Sequence, residues 1–467
     1  MPSDSFPDGL IVPAVIVRPA RRKIYTPTSL AAFYLVGAFS VLPVFSLPLI
    51  DLSITAPLFG LVIMPVLLRP PNLLQFRYGI WALLAAGVWA GIFMSFLANG
   101  PLSPASETEI ISILTVVRYA YWLLLFVVTG YFAANKKLLR RLSAILAASV
   151  TALAAMRWFE AIAWGRIGAW TEPVFLTQNG YGSLFSTFSP FLFALLFELR
   201  GMRRVFAAGG LLIVWGAGAI NGSRGSWIGI AVGLLIFIAL YSLTNPGRAW
   251  RTLVPLFLAA ALLAGLGFCS QHVREAVLSR FATLGHLEED KSYMIRQVMN
   301  QKSLQVFKQS PLLGAGPGRY RETYISLNLP DIINRSQEQH LNLKSAHNSY
   351  LFFLAENGLA GAIPYGLLLV ALILKGWGAA LRLGRQHRVW ALAIYAGFMG
   401  MTVHFWAMSA LTNTAAWFMY GLVVAIILVA RASQKGRKPT FQVGLVPGLV
   451  HPAVQPALNP PAAAADK

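Results

Sequence analysis

Apolar residues fall into runs at about 27–46, 48–68, 77–97, 109–133, 138–157, 180–199, 203–220, 223–243, 251–269, 348–374, 389–408 and 411–431. Each is ~20 residues long, the length an α-helix needs to cross the hydrocarbon core of a bilayer. Short polar connections separate them, apart from one long stretch, 270–346. The pattern predicts an all-α polytopic membrane protein with about twelve transmembrane helices and one large, helical extramembrane loop. In that loop Val273–Leu284 reads as helix-like. Tyr293–Gln309 is amphipathic, with Ile295, Val298, Met299, Leu304 and Phe307 near a 3.6-residue period. Pro311 and the run Gly314-Ala315-Gly316-Pro317-Gly318 stop it. The chain divides into a tail 1–26, spans one to nine at 27–269, the loop 270–346, spans ten to twelve at 347–432, and a tail 433–467. The Pro/Ala-rich part of the last segment is expected to be disordered.

Composition strengthens this reading: 57% of residues are hydrophobic and 12% charged, where a soluble domain carries about a quarter charged residues. The net charge of +21 invites a nucleic-acid partner, but the distribution excludes one. Lys and Arg sit in clusters at alternate connections: Arg18–Lys23, Arg69 and Arg77, Lys136–Arg141, Arg200–Arg204, Arg248 and Arg251, Lys375–Arg388, and Arg431–Lys438. By the positive-inside rule these face the cytoplasm, with anionic lipid headgroups as partners. Both termini are then cytoplasmic and the loop 270–346 lies across the membrane, in the periplasm of a double-membrane bacterium. Residues 1–26 show no cleavable signal peptide. A single cysteine, Cys269, precludes an intramolecular disulfide. There is no CxxC and no HExxH, so neither a metal nor a cofactor is expected.

Charged and polar groups at that side carry the candidate chemistry. Arg224, in Asn221-Gly222-Ser223-Arg224-Gly225-Ser226-Trp227, lies at the mouth of the eighth run. It either snorkels to the interface or offers a fixed guanidinium fork to a phosphate. His347, followed by Asn348 and Tyr350, lies where the loop re-enters the membrane. It is either structural or a base for a hydroxyl nucleophile. Arg296 stands on the amphipathic stretch, and the glycines after it, Gly316 and Gly318 among them, either stop a helix or expose amides to an anion. Arg118, deep in the fourth run, is a functional candidate by its depth, or the ion-pair partner of Asp51. Arg157 and Arg166, in the 158–179 connection or beside it, would add to an anion-attracting surface. The set suggests arginines gripping a lipid diphosphate, with base catalysis that needs no metal.

At this point a resemblance enters. Arg296, Pro311-Leu312-Leu313-Gly314-Ala315-Gly316-Pro317-Gly318, Ala346-His347-Asn348-Ser349-Tyr350-Leu351 and Glu356-Asn357-Gly358-Leu359-Ala360-Gly361 resemble the signature of the O-antigen ligase/polymerase superfamily. Ser223-Arg224-Gly225 is similar to its other arginine site. The departure is at Val298-Met299-Asn300, where the family often carries Trp. The resemblance implies a GT-C-like, inverting, metal-independent glycosyltransferase. Its donor would be a glycan on undecaprenyl diphosphate, and its acceptor a sugar hydroxyl of lipid A–core oligosaccharide. Arg224 and Arg296 would bind the diphosphate and His347 would activate or orient the acceptor. Alternatives stay open: an O-antigen polymerase, for which the Arg157/Gly168 and Arg274/Gly285 spacings speak weakly, a protein oligosaccharyltransferase, or a transporter of an anionic or lipid-linked substrate.

Overall fold

The computed structural model describes residues 26–42, 46–47, 52–53, 55–68, 76–100, 107–165, 175–268, 271, 274–275, 278, 291–327, 346–409, 411 and 413–434. The described residues are helical apart from turns and one antiparallel pair of two-residue strands, β1 (Ser46–Leu47) and β2 (Leu52–Ser53). The helices are α1 (Pro27–Val41), α2 (Thr55–Leu68), α3 (Phe76–Asn99), α4 (Glu107–Phe132), α5 (Lys136–Trp164), α6 (Gln178–Glu198), α7 (Met202–Asn221) and α8 (Arg224–Thr244). They continue as α9 (Pro246–Phe268), α10 (Lys291–Gln309), α11 (Tyr320–Ser326), α12 (Ser349–Arg382), α13 (Arg385–His404) and α14 (Thr414–Gln434).

Among the described residues, each of the twelve apolar runs thus contains a helix. Eight of them, α3 to α8, α12 and α14, are long and apolar enough to cross a membrane by length and composition. Local chemistry sets several starts. Thr26 and Ser29 form a capping box ahead of α1, with Pro27 at its first position. Asn135 and Thr177 cap α5 and α6 through their side-chain oxygens.

Two helices form the buried centre. In α6 nearly every residue from Tyr181 to Phe197 is enclosed, and in α14 every residue from Ala415 to Ala430. Around α6 pack α5, α7, α8 and α13; around α14 pack α4 and α12; α3 runs along α12. The outer faces stay apolar: Leu83 and Leu97 on α3, and Leu235 and Leu243 on α8, are exposed. Large apolar side chains spread this widely over a surface require lipid around them.

Small residues let two helices meet backbone to backbone. Gly225, Gly229 and Gly233 repeat every four residues on α8, opposite Ala396, Gly400 and His404 on antiparallel α13. A Cβ added at Gly400 would stand 2.6 Å from the Gly229 carbonyl oxygen. This is the small-residue packing that membrane helices use where burial supplies little drive.

The amphipathic stretch Tyr293–Gln309 is helical within α10. The loop's own small core joins Met299, Val306, Tyr320 and Tyr324 to Ala346 and to Ala355 of α12. Buried Lys302 donates to the carbonyls of Tyr324 and Leu327 and sits 4.0 Å from the centre of the Tyr324 ring. Burial pushes the Tyr324 phenol up to about 12. The described loop residues 291–327 are therefore a folded unit docked on the helices. The helix-like stretch Val273–Leu284 falls mostly outside the described residues, as do Asp51, Arg166, Cys269 and both tails.

Candidate functional site

The site forms at one end of the bundle, where the loop, the start of α12 and the end of α13 meet. It begins with a break in α12. Gly358 adopts φ 57° and ψ −163°, a conformation open essentially to glycine alone. The break strips helix hydrogen bonds from its neighbours, and the run after α10 replaces them. Ala315 and Gly316 amides donate to the Ala355 and Glu356 carbonyls, both at 2.9 Å. The Leu359 and Ala360 amides donate to the Pro311 and Leu312 carbonyls, again at 2.9 Å. The Glu356 side chain, itself buried, accepts from the Gly318 amide at 3.0 Å. Ser112 of α4 donates to the Pro317 carbonyl, and Arg319 caps the end of α3 by donating to the Asn99 and Gly100 carbonyls.

This corrects the expectation for Gly316 and Gly318. Their amides are spent on the Glu356 carbonyl and carboxylate and so make no anion cradle. The glycines are there because their left-handed φ, 101° and 77°, allows the loop to fold into the break.

From the loop core the chain passes through His347 into α12. His347 has φ 49°, the one non-glycine positive φ among the described residues. Such a conformation costs energy that the surroundings must offset, and it clusters at working sites. Three hydrogen bonds from the following residues fix it in place. The Ser349 amide donates to the Phe405 carbonyl at 2.9 Å, the Ser349 hydroxyl to the Met408 carbonyl, and the Tyr350 hydroxyl to the Thr402 carbonyl at 2.7 Å. Asn348 caps α12 by accepting from the Tyr350 and Leu351 amides. The Asn348 side-chain oxygen and the Tyr350 hydroxyl, expected to face substrate, thus serve the fold.

Arg224 opens α8 on the turn Asn221-Gly222-Ser223, half-buried. The turn is held from below. Asn221 donates to the Gln178 carbonyl at 2.7 Å and Ser223 to Asn179 at 3.0 Å. Arg157 lies 3.4 Å from the Asn221 side-chain oxygen and 3.6 Å from Glu160. Glu160 in turn accepts from Tyr181 and from the Phe175 amide. Arg157 was expected beside a surface loop; it is instead inside α5, which runs on to Trp164, and is completely buried with its ion-pair partner. A paired, enclosed guanidinium braces the Arg224 turn and does not attract ligands from solvent.

Arg296, half-buried, stands on α10 one turn before Met299, which packs with Ala346 just ahead of His347. The His404 ring borders Gly225, next to Arg224. The start of α8, which carries Arg224, and the His347 segment therefore meet at residues 402–408, and Arg296 stands on the loop helix packed beside the His347 segment. Arg118 lies on α4 one turn beyond Thr115, which abuts Gly318, so it belongs to the same quarter of the bundle. His404 and Glu356 are the groups that residue-by-residue reading passed over. The signal for His404 was its place in the four-residue series after Ala396 and Gly400.

These features define a multi-pass membrane protein with an arginine- and histidine-bearing site at a loop–membrane junction. Residues 209–366, about a third of the chain, match the family model of the O-antigen ligase domain. The segment contains Arg224, Arg296, His347 and the Gly358 break; His404 and Arg118 lie outside it. No curated protein matches the chain. The match over this segment supports a ligase- or polymerase-type function in the assembly of lipopolysaccharide-related glycans.

Proposed function

We propose that the protein is an O-antigen ligase of GT-C-like architecture with twelve spans. It transfers a glycan from undecaprenyl diphosphate to a sugar hydroxyl of lipid A–core oligosaccharide, at the periplasmic face of the inner membrane. The supporting observation is that the start of α8, with Arg224, and the strained His347 segment meet at the end of α13, with Arg296 on the loop helix packed beside that segment. In this reading the acceptor oxygen attacks the anomeric carbon as its proton passes to the His347 imidazole. The bond from that carbon to the diphosphate oxygen breaks. The electron pair leaves with undecaprenyl diphosphate, whose charge Arg224 and Arg296 neutralise. Attack opposite an α-linked leaving group inverts the centre. Arg118 lies where it would support the donor from α4.

The test is transfer by purified protein, with undecaprenyl-diphosphate glycan and lipid A–core as substrates and EDTA present. Glycan on lipid A–core with wild type, lost in His347→Ala and Arg224→Ala, supports the reading. Chain growth on the carrier lipid instead would make the protein a polymerase. Neither activity would overturn the glycosyltransferase reading in favour of transport.

A further inference from the structure

The far end of α12 carries a feature that the transfer reaction does not use. Lys375, Gly378 and Arg382 follow one another at three- and four-residue intervals, so they share one face of the helix. Ile427, Arg431 and Gln434 do the same on α14. The two faces do not close on each other. Between them lies a cleft of about 170 Å³, lined by both sets and by Leu374. At ~1.5 Å per residue, the stretch of α12 from Ser349 to Lys375 covers ~40 Å, about the thickness of a bilayer with its headgroups. The cleft therefore opens at the membrane face opposite His347, the one the positive-inside rule makes cytoplasmic.

Lys375, Arg382 and Arg431 surround the cleft, and among the described residues no carboxylate lines it. None of the three has an ion-pair partner among the described residues. The positive-inside rule accounts for their sign but not for their meeting at one cavity from two helices. Two of them are placed in advance. The Arg382 guanidinium lies back over Gly378, its central carbon 3.8 Å from where a Cβ on that glycine would stand. Lys375 Nζ rests 5.4 Å from the centre of the Trp81 ring of α3. Cations gathered round one cleft repel one another, and an anion between them relieves this.

The apolar wall indicates which anion. Leu374 continues along α12 into Val370 and Leu367, all three exposed and again three or four residues apart. The strip runs from the cleft toward the middle of the membrane, where hydrocarbon covers it. A ligand with a phosphate at one end and a hydrocarbon chain at the other matches both parts.

We propose that this cleft binds one anionic phospholipid, its phosphate held by Lys375, Arg382 and Arg431 and an acyl chain lying along Leu374, Val370 and Leu367. Two guanidinium forks and an ammonium are suited to phosphate oxygens. The excess of positive charge selects a headgroup that carries no ammonium of its own. The site is separate from the transfer reaction and does not depend on its donor.

The experiment titrates delipidated full-length protein in detergent with phosphatidylglycerol and counts the retained lipid by native mass spectrometry. A cation beside an anionic headgroup contributes about 5-fold, so three contribute ~100-fold. Lys375→Gln/Arg382→Gln/Arg431→Gln should weaken binding ~10- to 100-fold. Lys137→Gln/Arg203→Gln/Arg251→Gln removes three exposed cations from the same membrane face outside the cleft, and should stay within about 3-fold of wild type. Gly378→Leu keeps every charge but fills the cleft and displaces the Arg382 guanidinium, so it should cost ~10-fold. A Cβ at Gly378 meets only the Arg382 side chain, so the helix should fold. Phosphatidylethanolamine should bind at least ~10-fold more weakly than phosphatidylglycerol, and glycerol phosphate at matched concentration should not displace the lipid. Equal losses in the two triple variants, or wild-type binding by Gly378→Leu, would mean that surface charge alone attracts lipid, and would overturn the proposal. Equal binding of phosphatidylethanolamine, or displacement by glycerol phosphate, would overturn it too: the first removes the need for an anionic headgroup, the second the need for a lipid. Should Gly378→Leu fail to fold, the contrast between the two triple variants decides.

Discussion

Replacing Gly358 by alanine should release the loop from the bundle. At φ 57° and ψ −163° a residue with a side chain carries strain of ~1–3 kcal/mol. The new Cβ would also collide with the Leu312 carbonyl and stand 2.6 Å from the Gly314 amide nitrogen, both backbone groups that cannot rotate away. To relieve the collision the run 311–316 must lift. The four backbone hydrogen bonds across the break are then lost, at ~0.5–1.5 kcal/mol each. Together strain and lost bonds amount to ~3–9 kcal/mol. The weakest unit opens first. Lys302 and Arg319, both buried in the loop unit, should therefore become trypsin sites while the helical bundle stays folded. At the lower bound the open population rises ~100-fold, and the cleavage rate with it. The control is Gly366→Ala on the same helix, where an added Cβ meets nothing within 4 Å and should stabilise by ~0.5–1 kcal/mol. Cleavage of Gly358→Ala at the wild-type rate would refute the reasoning.

Three further expectations follow from the packing. Gly400→Ala should lower the thermal unfolding temperature by forcing α13 off α8, whereas Gly209→Ala, with open space at its Cβ, should not; equal unfolding temperatures would discount the close helix contact. Arg157→Met should destabilise by ~3–5 kcal/mol because it strands buried Glu160, and Arg157→Met/Glu160→Gln should recover most of that loss in denaturant titrations. If the double variant is no better than the single, the ion pair is not what braces the Arg224 turn. His347→Gly should abolish transfer yet raise stability by ~1 kcal/mol, since glycine adopts φ 49° without strain. A less stable glycine variant would show that the side chain is held for packing.

The helices could be read from the chain because apolar runs of membrane length have few alternatives: every backbone group in lipid must be bonded internally, and a helix does that locally. Arg224 and His347 stood out because charge or imidazole at the end of such a run is rare, and Arg296 because it stands on the loop's amphipathic stretch ahead of the glycine run. What escaped was everything set by partners distant in sequence. Gly316 and Gly318 looked like an anion nest because nothing local indicates that Glu356, some forty residues on, takes up their amides. Arg157 looked like a loop residue because the apolar run pauses at Arg157 and Glu160, whereas the two neutralise each other and let α5 continue to Trp164. His404 carries no flanking motif, and its neighbours come from α6 and α8.

The mended break in α12 also fixes a length. Pro311 and Leu312 receive from one side of Gly358, and Ala315 and Gly316 give to the other. The two residues between them, Leu313 and Gly314, span the gap from carbonyls to amides. Adding or removing one residue there would offset the giving pairs from the receiving pairs, as a slipped strand would in a sheet. This short run acts as a ruler, measuring the distance from the loop helix to the membrane helix one residue at a time.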